Sequence, residues 1–190
     1  MCQKLKEIHG LTPEEIVRKY LKEYSSGKIN MTELLKKMGI QCGPTEFAPL
    51  EGELCLTGND AILGIACSEG NALNILYAKK LDQYNINYVL AHELAHCCIH
   101  LPVSAEFHVE MMTREDIYSP DNSFFKFRRN KANMAKEEEA DVFAANLLLP
   151  THSLIDYLKQ TPAPTIKTIS DFFEVPEHLV RKKIVILNAE

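Results

Sequence analysis

Two histidines and a glutamate in one short stretch are suited to metal chemistry. His92-Glu93-Leu94-Ala95-His96 fits the pattern H-E-x-x-H. Residues four apart lie on one face of an α-helix, so two imidazole nitrogens can meet at one tetrahedral ion. Glu93 projects about 100° away around the helix, where it can act as general base toward a water molecule beside the ion. The stretch predicts a zinc site with His92 and His96 as ligands and Glu93 as the catalytic base.

The third ligand is predicted in a run of carboxylates that begins at Glu137. Glu137 shares a helical face with Ala140 and Ala144, whose small side chains would let two helices approach closely. Glu138 lies about 100° away around the helix and is the alternative ligand. Three protein ligands with one open position are typical of catalytic zinc, although manganese or iron could also occupy such a site.

Asp141 lies one helical turn after Glu137 and is predicted to support the site from outside. Its carboxylate can accept a hydrogen bond from the outer ring nitrogen of His92 or His96, and such partners orient metal-bound imidazoles. His100 fits poorly as a ligand, because the metzincin pattern needs a third histidine later in the chain. We predict a capping or packing role for His100.

Two further parts of the active site remain open from the sequence. A hydrolytic metal site needs a donor that stabilises an oxyanion, and each candidate is also explained as a surface or packing residue. The candidates are Tyr118, His108 and His152. Residues 73–78 are predicted to form a strand that could pair with an extended substrate by strand addition.

Hydrophobic periodicity indicates the elements that position these residues. Helices are predicted over 85–100 and 136–149, the second closed by Pro150. Two apolar runs, 61–67 and 73–78, flank a turn and predict two strands of a sheet. The segment 103–135 has no sustained period, and we expect it to be long and partly irregular.

Shorter elements are predicted on both sides of this centre. Thr12, Pro13 and Glu15 form a capping box that starts a helix. Thr32 is predicted to cap a second helix, which ends at Gly39. The remaining predictions are short strands near Phe47 and at 54–56, a short helix over 152–159, a linker over 161–164, and two short helices over 166–184.

Composition excludes several classes of function. The formal net charge is −5, which argues against direct nucleic-acid binding, because phosphate neutralisation needs clustered Lys and Arg. No apolar run approaches the roughly 20 residues that span a bilayer, and residues 1–10 lack the apolar core of a secretory signal. The chain is neither small nor visibly secreted, so all six cysteines are expected to be reduced, and the absence of a C-x-x-C pair argues against zinc binding by their thiolates. We expect a cytoplasmic protein with no membrane partner.

Two motifs together resemble the ImmA/IrrE family of metallopeptidases. They are the H-E-L-A-H stretch at 92–96 and the E-x-x-A-D stretch at 137–141, which continues as x-F-A-A-x-L-L-x-P to residue 150. Weaker likenesses are M-G-I at 38–40 and F-F-E-V-P at 172–176. The spacer between His100 and Glu137 is longer than is usual for the family.

The resemblance implies an α+β fold with a zincin-like metallopeptidase core. That core has a small mixed or antiparallel sheet and an active-site helix, with helices flanking it at both ends of the chain. Residues 1–160 would form the metallopeptidase domain. Residues 161–190 would form a small helical segment packed on it or linked to it.

The resemblance also implies a zinc-dependent endopeptidase. Its expected substrate is a helix-turn-helix transcriptional repressor of a phage, mobile element or stress regulon, whose cleavage relieves repression. The alternative is a non-catalytic zinc-binding module that inactivates a repressor by contact. Glu93 favours the enzyme, because a module that only binds has no need of a general base.

Overall fold

Helices surround a four-stranded sheet in the computed structural model of the chain, which describes residues 2–21, 27–53, 61–102, 107–113 and 131–189. The strands are β1 Gln41–Thr45, β2 Ile62–Glu69, β3 Ala72–Ala78 and β4 Phe107–Thr113. The helices are α1 Gln3–Ile8, α2 Pro13–Tyr20, α3 Met31–Met38, α4 Ala48–Glu53, α5 Gln83–Ala95, α6 Lys131–Leu148, α7 Thr151–Gln160, α8 Ile166–Phe173 and α9 Glu177–Ala189. A π-helical turn, His96–His100, continues α5 directly. The predicted α+β class with flanking helices is confirmed.

The sheet is mixed, as predicted, with the strand order β1-β3-β2-β4. β1 runs parallel to β3, whereas β2 runs antiparallel to both β3 and β4. β3 is paired with β1 on one side and with β2 on the other, so the prediction of substrate addition at 73–78 is wrong. β4 lies inside the segment 103–135, which was expected to be long and partly irregular, and it is a strand that the sequence did not predict.

Gly64 lets α5 lie close against the sheet. A Cβ atom at this position would lie 2.4 Å from Val89 Cγ1 and 3.1 Å from Glu93 Cγ. Real Cβ atoms almost never approach another heavy atom within 3.0 Å. The pairing of β2 with β4 is also irregular between Ile62 and Gly64. The interruption of the apolar run by glycine therefore marks the point where the helix that carries Glu93 crosses β2.

α5 is buried on all sides, which explains why its sequence shows no polar face. Every residue from 87 to 98 is buried. Asp82 caps the helix by accepting from the Asn85 backbone N–H at 2.9 Å. The Asn87 side chain accepts from the Met31 N–H at 3.3 Å and donates to the Glu174 carbonyl at 3.1 Å. One buried amide thereby joins α5 to both the N-terminal and the C-terminal helices.

The boundaries of the flanking elements agree in part with the predictions. The capping box of Thr12 and Glu15 is present at the start of α2. α3 begins two residues earlier than predicted, because Asn30 and not Thr32 caps it, and it ends at Gly39 with a φ of 72°. Phe47 directly precedes α4 and lies in no strand, so that strand prediction is wrong, and residues 54–56 lie outside the described ranges.

The C-terminal helices contribute to the same hydrophobic core as the rest of the chain. The main cluster of buried side chains extends from Leu5 in α1 to Leu179 and Val180 in α9. A smaller cluster of Phe47, Ile62 and Ile65 lies elsewhere on the sheet. No helix among the described residues is long and apolar enough to cross a membrane.

Candidate metal centre

α5 brings the two histidines of the motif together. His92 and His96 are one helical turn apart, and their Nε2 atoms lie 3.1 Å from each other. Both rings are almost fully buried, with exposed fractions of 1% and 2%. Glu93, between them in sequence, is also fully buried. The helix thus directs two imidazole nitrogens at one point, as its i, i+4 spacing predicts.

Glu137 reaches the same point from α6. Its Oε2 lies 3.1 Å from His92 Nε2, and its Oε1 lies 3.7 Å from His96 Nε2. Ala140 and Ala144 of α6 are fully buried, as expected for a helix that approaches α5 closely. Glu138 instead accepts a hydrogen bond from Lys182 at 2.8 Å and is largely exposed. The structure therefore brings Glu137, and not Glu138, to the histidine rings.

Asp141 holds the outer nitrogen of His92. Its Oδ1 lies 2.9 Å from His92 Nδ1 and accepts from the Tyr88 hydroxyl at 2.6 Å. Its Oδ2 accepts from Lys182 Nζ at 2.9 Å. Burial raises the pKa of Asp141, but these donors outweigh burial and lower the pKa to about 2. An ionised Asp141 fixes the N–H of His92 at Nδ1, because a carboxylate can only accept.

The electrostatics of the cluster favour a cation. Burial alone lowers the pKa of His92, but hydrogen bonds to Asp141 and Glu137 raise it to about 10. Burial raises the pKa of Glu137, yet its hydrogen bonds to His92 and His96 hold that pKa well below its usual range. Surroundings that stabilise a positive charge on a buried ring also stabilise a metal ion at the same point.

The donor set fits a divalent metal ion. His92, His96 and Glu137 each offer one ligand atom, and these atoms all lie within 4.8 Å of one another. With its proton on Nδ1, neutral His92 directs a lone pair at His96 Nε2 and at the Glu137 carboxylate. Acceptor atoms this close repel one another unless a proton or a metal ion lies between them. Two imidazoles and one carboxylate are a ligand set found in catalytic zinc sites.

Of the other residues that the sequence singled out, neither His100 nor His152 is a member of this cluster. His100 contacts His96 through their Nδ1 atoms, and burial lowers its pKa against the raising effect of Glu139. His152 is exposed at the start of α7, where it lines a separate cavity with Pro13. Tyr118 and the side chain of His108 lie outside the described residues.

The cysteines do not join the described metal cluster. Cys2, Cys42, Cys67, Cys97 and Cys98 are free thiols, in agreement with the prediction, and Cys55 lies outside the described residues. Cys97 and Cys98 are fully buried beside His96, and burial raises the pKa of Cys98 to about 12. Such buried, protonated thiols are poor nucleophiles and poor metal ligands.

Sequence reasoning missed two partners of Asp141. Tyr88 precedes His92 by four residues on the same buried helix, so its spacing could have revealed it. Lys182 comes from α9, and no local pattern connects it with α6. The charge of Lys182 is needed beside Asp141 because an ionised carboxylate in a half-buried position requires compensation.

A helix that carries H-E-x-x-H, packed on a mixed sheet and met by a glutamate from a second helix, is the arrangement of a zincin-like metallopeptidase core. The family model Peptidase_M78, described as the IrrE N-terminal-like domain, matches residues 68–185, and the chain belongs to this family. The match includes α5, α6 and every residue of the cluster. No curated protein and no solved structure matches the chain significantly.

Proposed function

We propose that the chain is a zinc-dependent endopeptidase that acts in the cytoplasm. Its proposed substrate is a helix-turn-helix transcriptional repressor, whose cleavage relieves repression. The convergence of His92, His96 and Glu137 within 4.8 Å is the observation that carries the metal-dependent part. Membership of the IrrE N-terminal-like family supports the peptidase part. The repressor rests on the resemblance of the two motifs to the ImmA/IrrE family.

Each residue of the site has a separate task in this proposal. His92, His96 and Glu137 bind zinc, and Asp141 orients His92 through its Nδ1–H. When bound, zinc supplies a Lewis acid that polarises the scissile carbonyl and lowers the pKa of a bound water from 15.7 to about 7. Glu93 takes the proton from the attacking water and passes it to the nitrogen of the leaving amine.

The burial of Glu93 supports its assignment as the base. Its side chain is fully buried on α5 next to His92, and its charge raises the pKa of that histidine. A glutamate without such a role is normally solvated at the surface, because burial of a carboxylate costs free energy. A buried carboxylate beside the metal ligands is instead positioned to exchange a proton with a water there.

The competing proposal is a zinc-binding module that inactivates a repressor by contact alone. It shares the same ligands, and it differs only in having no role for Glu93. Replacement of Glu93 by Gln keeps the size of the side chain and one acceptor oxygen, but it exchanges the other oxygen for an NH2 donor and removes the base. The two proposals therefore predict opposite outcomes for one variant.

The test compares Glu93→Gln with wild type and with Glu33→Gln, an exposed glutamate on α3. We expect all three proteins to bind one zinc per chain. We expect Glu93→Gln to cleave a helix-turn-helix repressor about 10²–10⁴-fold more slowly, which is the usual contribution of a general base. Fragments are identified by mass spectrometry, and relief of repression is measured with a reporter. If Glu93→Gln relieves repression as well as wild type, the enzyme proposal is wrong.

A further inference from the structure

His100 lies directly against the outer face of the His96 ring. The π-helical turn His96–His100 closes with a hydrogen bond from the Leu101 N–H to the His96 carbonyl at 2.9 Å. The ring centroids of His96 and His100 lie 4.9 Å apart across this turn. Their Nδ1 atoms lie 2.9 Å apart, so one ring donates to the other. π-Helical turns are rare and are frequent at functional sites.

The direction of that hydrogen bond follows from the far side of His100. His100 Nε2 lies 3.0 Å from Oε2 of Glu139, and an ionised carboxylate can only accept a hydrogen bond. The single N–H of a neutral His100 is therefore at Nε2, and its Nδ1 carries a lone pair. His96 must then donate from its own Nδ1–H. This leaves the lone pair of His96 at Nε2, which lies 3.1 Å from His92 Nε2.

We propose that His100, supported by Glu139, positions His96 and fixes its tautomer for metal binding. The inference rests on the proposed metal centre and adds two positioning residues to it. Asp141 fixes the tautomer of His92 directly, because its carboxylate Oδ1 lies 2.9 Å from His92 Nδ1. For His96, the acceptor is a second imidazole, that of His100, through its Nδ1 atom.

The two hydrogen bonds, from His96 to His100 and from His100 to Glu139, differ in burial. The side chain of His100 is only 5% exposed, whereas that of Glu139 is 61% exposed. A shielded hydrogen bond contributes more than one that competes with water. Removal of the acceptor at His100 therefore weakens metal binding more than removal of Glu139 does.

Three variants and one control test the two hydrogen bonds separately. His100→Leu removes the acceptor but keeps much of the side-chain volume. His100→Asn retains an amide oxygen near the position of imidazole Nδ1 and loses the contact with Glu139. Glu139→Ala removes only the hydrogen bond from His100 to Glu139. The control is His9→Leu, an exposed histidine at the C-terminal end of α1.

Zinc affinity is measured by competition with a chelator, and thermal unfolding of each metal-free protein is measured by circular dichroism. We expect His100→Leu to bind zinc about 10–100-fold more weakly than wild type, the usual cost of losing an outer partner of a ligand. His100→Asn recovers most of that loss, Glu139→Ala shows a smaller loss, and His9→Leu shows none. Equal affinities of His100→Leu and wild type overturn the inference, as do equal losses in His100→Leu and His100→Asn.

A second measurement uses only the wild-type chain and does not depend on the folding of any variant. In long-range ¹H–¹⁵N spectra of the zinc-loaded protein, we expect protons at His96 Nδ1 and His100 Nε2. A proton at His100 Nδ1 overturns the inference while leaving the proposed function intact. Failure of the wild type to bind zinc overturns the metal centre itself, and the inference with it.

Discussion

Glu137 and Glu138 are adjacent in the chain but contact different partners. Glu137 points at the rings of His92 and His96, whereas Glu138 lies 2.8 Å from Lys182. Their side chains diverge by about 100° around α6, since each helical residue turns by that angle. One helical step therefore separates a proposed metal ligand from a surface ion pair.

Metal analysis of Glu137→Ala and Glu138→Ala tests this assignment. We expect Glu137→Ala to lose zinc, with a fall in affinity greater than the roughly 10–100-fold cost of losing an outer partner. Glu138→Ala keeps one zinc per chain, because Lys182 retains its hydrogen bond to Asp141. Zinc per chain is measured by inductively coupled plasma mass spectrometry after exhaustive dialysis. Equal zinc content in the two variants would contradict the assignment.

The arrangement of residues within one helix was predictable, because helical geometry converts spacing into direction. The i, i+4 spacing brought His92 to His96, and the apolar face of α6 selected Glu137. Contacts between distant segments that no motif connects were not predictable, and Lys182 beside Asp141 is the clearest case. The role of His100 was missed for another reason. Regular α-helical geometry was assumed, whereas residues 96–100 form a π turn.

The contact between α5 and β2 determines how deeply the side chain of Glu93 is buried. Gly64 provides the space, and a Cβ atom there would lie 2.4 Å from Val89 Cγ1. Val89 is β-branched and has little rotamer freedom within a helix, so it cannot turn away. The helix itself has to move when this position gains a side chain.

Gly64→Ala should therefore affect both stability and catalysis. We expect a loss of about 1–3 kcal/mol in the free energy of unfolding, the usual cost of overpacking. A displacement of Glu93 by about 1 Å could lower kcat by about 10²-fold. The matched control is Gly43→Ala in β1, where an added Cβ meets no atom within 4 Å. Urea unfolding and steady-state kinetics measure the two effects, and equal behaviour of the two variants would contradict this explanation.

Elements with strong periodicity or clear capping were predictable, and edge strands were not. The capping box of α2 and the strands β2 and β3 were read correctly. β1 contains Gly43 and Pro44 and has no alternating pattern, because its hydrogen bonds to β3 define it. β4 was also missed, since its pairing with β2 depends on a segment far away in the chain.

At the scale of the whole molecule, the C-terminal helices are integral to the core. Phe173, Val175, Leu179 and Val180 are fully buried in the same cluster as the residues of α5. Lys182 and Lys183 also connect α9 to α6, through Asp141 and Asn146. The division at residue 160 stays a prediction, but this packing favours a single cooperative unit.

Leu179→Ala tests that cooperativity. We expect it to lower the free energy of unfolding of the entire chain by about 2–5 kcal/mol, as for other buried leucines. Val185→Ala, at a position 67% exposed on the same helix, should change it by less than about 0.5 kcal/mol. Circular dichroism and zinc release are followed together in urea. Early melting of some helices while zinc remains bound would show that α8 and α9 unfold independently.

The π turn has a consequence for how this chain tolerates changes in length. A π turn closes through an i→i+5 hydrogen bond, so it contains one residue more than the α-helical turn it replaces. Residues 96–100 therefore correspond to an α-helical turn with one inserted residue. Loss of one residue after His96 would preserve H-E-x-x-H and let this turn close as an α-helical turn, so the elements beyond it keep their place while His100 moves one position nearer to His96. A chain one residue shorter at this point would keep its H-E-x-x-H motif and lose the present contact between His100 and His96.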